Sequence, residues 1–158
     1  MENLINYIGG DATNPKTEGN KIIVHICNDI GGWGKGFVMA ISKRWIEPEK
    51  EYRNWFKTQN NFLLGQVQFV KVENDIWIAN LIGQHKINKD ENGNAPIRYD
   101  AIKVGLNKIA EFAQEKNATI HMPRIGCGLA GGTWDKIEPL IKESVTNNNI
   151  ETFVYDFN

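Results

Sequence analysis

The chain of 158 residues has only two cysteines, Cys27 and Cys127. They are too few for a disulfide framework and are spaced for no zinc site. No metal and no cofactor are expected. Sparse cysteine points to a reducing compartment, and the opening MENLINYIGGD has no basic region leading into an apolar core. A cytoplasmic protein without a signal peptide is expected. No apolar run approaches the ~18–20 residues that cross a bilayer, so no membrane partner is expected either. Charge of one sign is also missing. Eighteen Lys and Arg against 19 Asp and Glu leave a formal net charge of −1, with no basic block. Binding a nucleic acid by bulk electrostatics is thereby disfavoured. There are no internal repeats and no linker, so residues 1–158 read as one domain. With no evident exposed apolar helix, a monomer is expected.

What is present is ordinary in amount and informative in arrangement. Hydrophobic residues make up 41% and charged residues 23%, the composition of a globular domain with a real core. Residues 3–8 alternate as a first strand that ends at Gly9-Gly10-Asp11-Ala12, a turn with a carboxylate at its tip. Residues 21–26 (KIIVHI) form a near-continuous apolar run, the pattern of a strand covered on both faces. Residues 37–45 are helical, Pro48 forces a break or a fresh start, and a second helix covers 49–57. Segments 65–71 and 76–82 read as a hairpin or neighbouring strands. Residues 83–95 form a polar, mobile loop. Pro96 opens a long helix to 116, with Ile97, Ala101, Val104, Leu106, Ile109 and Phe112 supplying most of its apolar stripe. A strand at 117–122, a helix at 135–146 and a strand at 151–155 close the chain. This alternation predicts an α/β fold, a three-layer α/β/α sandwich with a mostly parallel mixed central sheet.

In such sheets ligands bind beyond the carboxyl ends of the strands. Two loops there are rich in glycine. The first, after the strand at 21–26, is CNDIGGWGKGF, with Gly31, Gly32, Gly34 and Gly36 around Trp33 and Lys35. The second is RIGCGLAGGTW, with glycine at four of the seven positions 126–132. Neither matches GxxxxGK[ST] or GxGxxG. Glycine permits close approach of backbone to ligand, and amide N–H groups at a strand-to-helix turn suit an anionic group such as phosphate. A tight turn needing glycine only for its geometry is the alternative. Two such loops at one edge suggest a nucleotide-like ligand with a diphosphate.

The ordered set of GD near the N-terminus, HICNDIGGWGKGF, NLIGQ and PRIGCGLAGGTW resembles the macrodomain family, the ADP-ribose-binding fold. It is similar in particular to the branch of terminal ADP-ribose glycohydrolases and yeast-type ADP-ribose-1″-phosphate phosphatases. The resemblance covers nearly the whole chain. It implies that Asp11 accepts a hydrogen bond from the adenine amino group and that Ala12 meets the base through its backbone N–H. Ile125, Gly126, Cys127, Gly128, Leu129, Ala130, Gly131 and Gly132 would wrap the diphosphate. Asn28 and residues 31–36, with Gln84 at the strand end, would line the distal ribose and second phosphate. Tyr155 would pack on adenine or in the core, Lys35 would meet phosphate or solvent, and Trp33 would close over the ribose or lie beneath its own loop. His25, Asn28 and Asp29 are the candidate catalytic side chains, with Asp29 orienting a water; on its apolar strand His25 reads first as a satisfied core histidine.

One departure matters. The glycohydrolases of the branch use a lysine at the strand-end loop and an aspartate after GCGL, and here those positions are Gln84 and Ala130. Glutamine forms no covalent adduct with ribose and alanine no acid or base, so that mechanism is closed. The remaining expectations are hydrolysis of a distal-ribose substituent such as the 1″-phosphate, or binding of ADP-ribose or an ADP-ribosylated macromolecule without turnover. A third reading, from another class, makes the glycine loops structural and the surface one for protein contacts.

Overall fold

The computed structural model describes residues 5–157, so residues 3 and 4 of the expected first strand lie outside the described residues. In chain order the elements are β1 (Ile5–Gly9), β2 (Lys21–Asn28), α1 (Phe37–Arg44), α2 (Glu47–Thr58), β3 (Val67–Glu73), β4 (Ile76–Gln84), α3 (Tyr99–Lys116), β5 (Thr119–Met122), α4 (Trp134–Ser144) and β6 (Thr152–Asp156). The strands form one sheet in the order β1-β6-β5-β2-β4-β3. Every neighbouring pair is parallel except β3–β4, which is the antiparallel hairpin at one edge.

The period of two along β2 builds both faces. Ile22 and Val24 point to one side, against Leu106 and Ile109 of α3 and Ile137 and Ile141 of α4. Ile23 and Cys27 point to the other, against Ile41 of α1 and Tyr52 of α2. Each fully buried side chain of this size stabilises the fold by roughly 1.5–3 kcal/mol relative to exposure. Helices on both faces of a mainly parallel sheet make the expected three layers. No helix among the described residues is long and apolar enough to cross a membrane.

Most boundaries differ from the sequence reading by one to three residues, and three of the differences shape the sheet's carboxyl edge. Strands β2 and β4 run two residues further, to Asn28 and Gln84, which pair across a bulge. Helix α3 starts at Tyr99 instead of 96 because Ile97 bridges Gln84 and donates its amide to the Ala130 carbonyl at 3.1 Å. Val104 stands 48% exposed, outside the buried stripe of α3. Pro48 lies in the first turn of α2, the fresh start expected of a residue whose missing N–H costs nothing there.

Candidate functional site

Because β2, β4, β5, β6 and β1 are parallel, their carboxyl ends and following loops share one edge of the sheet. The two glycine loops meet there: a methyl placed on Gly36 would lie 3.4 Å from the Leu129 side chain. The loop after β4 lies across both. Ile87 reaches Gly32, and Ala95 and Ile97 pack under Gly131, Gly126 and Gly132.

Local contacts dictate where glycine is needed. At Gly31 φ is +76°, and an added Cβ would sit 2.5 Å from the Phe56 ring. At Gly132 it would sit 2.5 Å from the Gly126 carbonyl oxygen, which accepts the Gly132 amide at 2.7 Å. Gly34 and Gly128 are different. A Cβ added at either would meet no atom within 4 Å beyond its chain neighbours, so these positions face open space. Among the described residues, the amides of Gly34, Lys35, Gly36, Gly128, Leu129 and Ala130 have no internal acceptor. Unpaired amides on adjacent loops are the kind of donor that can bind an anion.

Asn28 organises the first loop. Its Oδ1 accepts the amides of Ile30 at 3.0 Å and Gly32 at 2.9 Å, while its Nδ2 donates to the Gly32 carbonyl at 2.9 Å. The buried Tyr52 hydroxyl also donates to it, at 3.0 Å. Both polar atoms of Asn28 are engaged inside the loop, and the second N–H of Nδ2 has no partner among the described residues.

Trp33 is turned inward as well. It is 5% exposed, its indole N–H donates to Ser42 Oγ at 2.8 Å, and it meets the His25 ring edge-on. Large apolar area drives the indole beneath its own loop, so the expectation that it covers the ribose is corrected. His25 takes the core role that its apolar strand favoured, and its candidacy as a catalytic side chain is corrected. It is 2% exposed among Trp33, Phe37 and Asn80, and burial lowers its pKa to about 4 despite the Asn80 hydrogen bond. A sealed, neutral imidazole has no access to a ligand and is not catalytic.

Asp11 caps its own turn. Its Oδ1 accepts the Thr13 amide at 2.8 Å and hydroxyl at 2.7 Å, and Oδ2 pairs with Arg44 at 3.4 Å. Burial raises its pKa, and these hydrogen bonds and the guanidinium outweigh that to hold the carboxyl below its ordinary value. Ala12 is buried beside it. Asp11 and Tyr155 line one groove of about 470 Å³, together with Ile8, Gly10, Lys16 and Phe153. Most of the Tyr155 ring is packed, with its hydroxyl 2.7 Å from His121 Nδ1.

Lys35 is exposed and has no ion pair among the described residues. Cys127 is half-buried and burial pushes its thiol pKa up, the opposite of an activated nucleophile. Ile125 and Ala130 are buried at the base of the second loop, while Leu129 is 63% exposed on its outer side. Gln84 is almost buried and donates to the Lys86 carbonyl at 2.9 Å. The residue that sequence reasoning missed is His85, whose Nδ1 lies 2.7 Å from Asp29 Oδ2. Only the topology, which sets β4 beside β2, brings them together.

The candidate site is the pair of adjoining glycine loops at the carboxyl edge of a three-layer sheet, together with the groove beside the carboxylate-tipped turn. No family model matches the chain. It is 50% identical to a macrodomain protein from Streptomyces coelicolor, with 98% of this chain and all of that one covered and a TM-score of 0.88. The chain belongs to the macrodomain family. It is also 33% identical, over 97% of its length, to the chromodomain-helicase-DNA-binding protein 1-like of Mus musculus, of which it spans only 18%. It is 23% identical to an ADP-ribose 1″-phosphate phosphatase of Saccharomyces cerevisiae, with 88% of this chain and 92% of that protein covered.

Proposed function

We propose that this site binds ADP-ribose and that the protein hydrolyses a substituent on the distal ribose, such as the phosphate of ADP-ribose 1″-phosphate. The observation that carries this is the meeting of two glycine loops at the carboxyl edge of the sheet, with amides at 34–36 and 128–130 that have no internal acceptor and are free to bind a pyrophosphate. Asp11, at the rim of the groove it shares with Tyr155, selects adenine through the exocyclic amino group. The bound diphosphate then positions the far ribose beside the first loop, where amide N–H groups stabilise charge that develops on the departing group. The name of the yeast relative supports the phosphatase reading. The site works, in this reading, in a monomeric cytoplasmic protein.

A second reading is favoured by Gln84 and Ala130. Both are nearly buried, and neither supplies the lysine or aspartate of the glycohydrolase branch, as suits a module that reads ADP-ribose or an ADP-ribosylated macromolecule without turnover. Phosphate release from ADP-ribose 1″-phosphate separates the two. Release that saturates with substrate supports the enzyme, and binding of the substrate without release supports the reader.

A further inference from the structure

Asn28 and Gln84 end the paired strands β2 and β4, and the next residue of each chain segment carries an ionisable side chain. Asp29 Oδ2 lies 2.7 Å from His85 Nδ1, and Asp29 Oδ1 accepts the Lys86 amide at 2.8 Å. The carboxylate is therefore held by two contacts and fixes the ring. With Nδ1–H donated to Asp29, a neutral imidazole carries its lone pair on Nε2. Among the described residues, Nε2 has no partner, and the His85 side chain is 44% exposed where that of Asp29 is 17% exposed. The backbone is fixed as well, since the His85 amide donates to the Pro96 carbonyl at 2.8 Å. The loop that carries His85 touches both glycine loops, through Ile87 on Gly32 and Ala95 on Gly131. An oriented, solvent-reachable imidazole thus stands beside the glycine loops. The sealed His25 cannot serve there.

Resting on the hydrolase reading above, we propose that His85 is the general base for cleavage at the distal ribose and that Asp29 is its positioning residue. His85 Nε2 takes a proton from a water as the water oxygen bonds to phosphorus of the 1″-phosphate. The bond from phosphorus to O1″ breaks, O1″ leaves with the electron pair, and the imidazolium returns its proton to that oxygen. Inorganic phosphate and ADP-ribose are the products, and His85 ends neutral. Asp29, from the loop after β2, is the charged group on the imidazole; Lys86 of the same loop as His85 gives its backbone amide to that carboxylate, and Arg98 donates to the Pro96 carbonyl that also accepts the His85 amide.

The test uses the whole chain. Calorimetry with ADP-ribose comes first, because absence of binding by the wild type overturns the proposed function itself. Binding of ADP-ribose with no phosphate release from the 1″-phosphate overturns the hydrolase reading and the base assignment with it. Where both are seen, His85→Asn is the discriminating variant, since its amide still has a donor for Asp29 and no proton acceptor of use near neutral pH. A fall in kcat of about 100-fold or more is expected, with the acid limb of the kcat profile lost and ADP-ribose affinity within about twofold of wild type. Asp29→Asn should lower kcat while displacing the limb. Wild-type kcat in His85→Asn, an unchanged acid limb, or a loss explained wholly by weaker ADP-ribose binding overturns the proposal.

Discussion

Histidine shows how far one residue type can be read. The chain has three, and the only one that the sequence offered as a catalytic candidate was His25, two residues before the first glycine loop, although its apolar strand favoured a core role. Alternation along β2 turns it to the face covered by Trp33 and Phe37, and that cover is built from residues the pattern alone does not place. His121 is likewise buried, and for both burial lowers the pKa to about 4 from the ordinary 6.5. Both rings are neutral when folded, and the unfolded chain takes up protons more readily. Their contribution to stability is complete above about pH 6.5 and is lost as pH falls towards 4, by about 3 kcal/mol for each at most. Urea midpoints are expected to fall between pH 7 and pH 4.5, and His25→Gln to flatten that fall. Midpoints that stay level across this range contradict the burial argument. Asp11 was legible, since a carboxylate at a Gly-Gly-Asp turn is conspicuous; its partner Arg44 was not, because α1 reaches it only through the tertiary fold. Asp11→Ala is expected to weaken ADP-ribose binding by about 1.5–3 kcal/mol, roughly 10- to 100-fold, measured by calorimetry.

At the scale of the element, the glycine loops combine two kinds of glycine that look alike in sequence. Gly132 is hemmed in by Ile97 and the Gly126 carbonyl, whereas Gly34 and Gly128 border open space and have ordinary φ. Gly132→Ala is expected to cost about 1–3 kcal/mol of folding stability through overpacking. Gly34→Ala and Gly128→Ala are expected to leave the denaturation midpoint within about 0.5 kcal/mol of wild type and to weaken ADP-ribose binding, each by putting a methyl into the ligand's path. Equal stability losses at all three positions would show that these loops serve only the fold. Apolar periodicity located most helices and strands to within a few residues. It failed at residues 96–98, where helical pattern continues but the chain is drawn away to bridge Gln84 and Ala130. That bridge is a contact between segments far apart in sequence, and no local signal carries it. The same holds for the Asp29–His85 pair.

For the whole molecule, the alternation of strand and helix was enough to predict three layers and a mostly parallel sheet. The strand order β1-β6-β5-β2-β4-β3 was beyond it, because crossovers, not propensities, decide which strands become neighbours. That order is what gives the site its parts. It sets β2 between β5 and β4, so the first glycine loop is flanked by the second and by the loop bearing His85. The central claim is that these loops close on one nucleotide diphosphate with their amides. Titration of 15N-labelled protein with ADP-ribose, followed through backbone amide shifts, examines it directly. Saturating shifts at residues 34–36 and 128–130, together with Asp11 and Ala12, are predicted. No shifts at millimolar ADP-ribose, or shifts confined to other parts of the sheet, would contradict it.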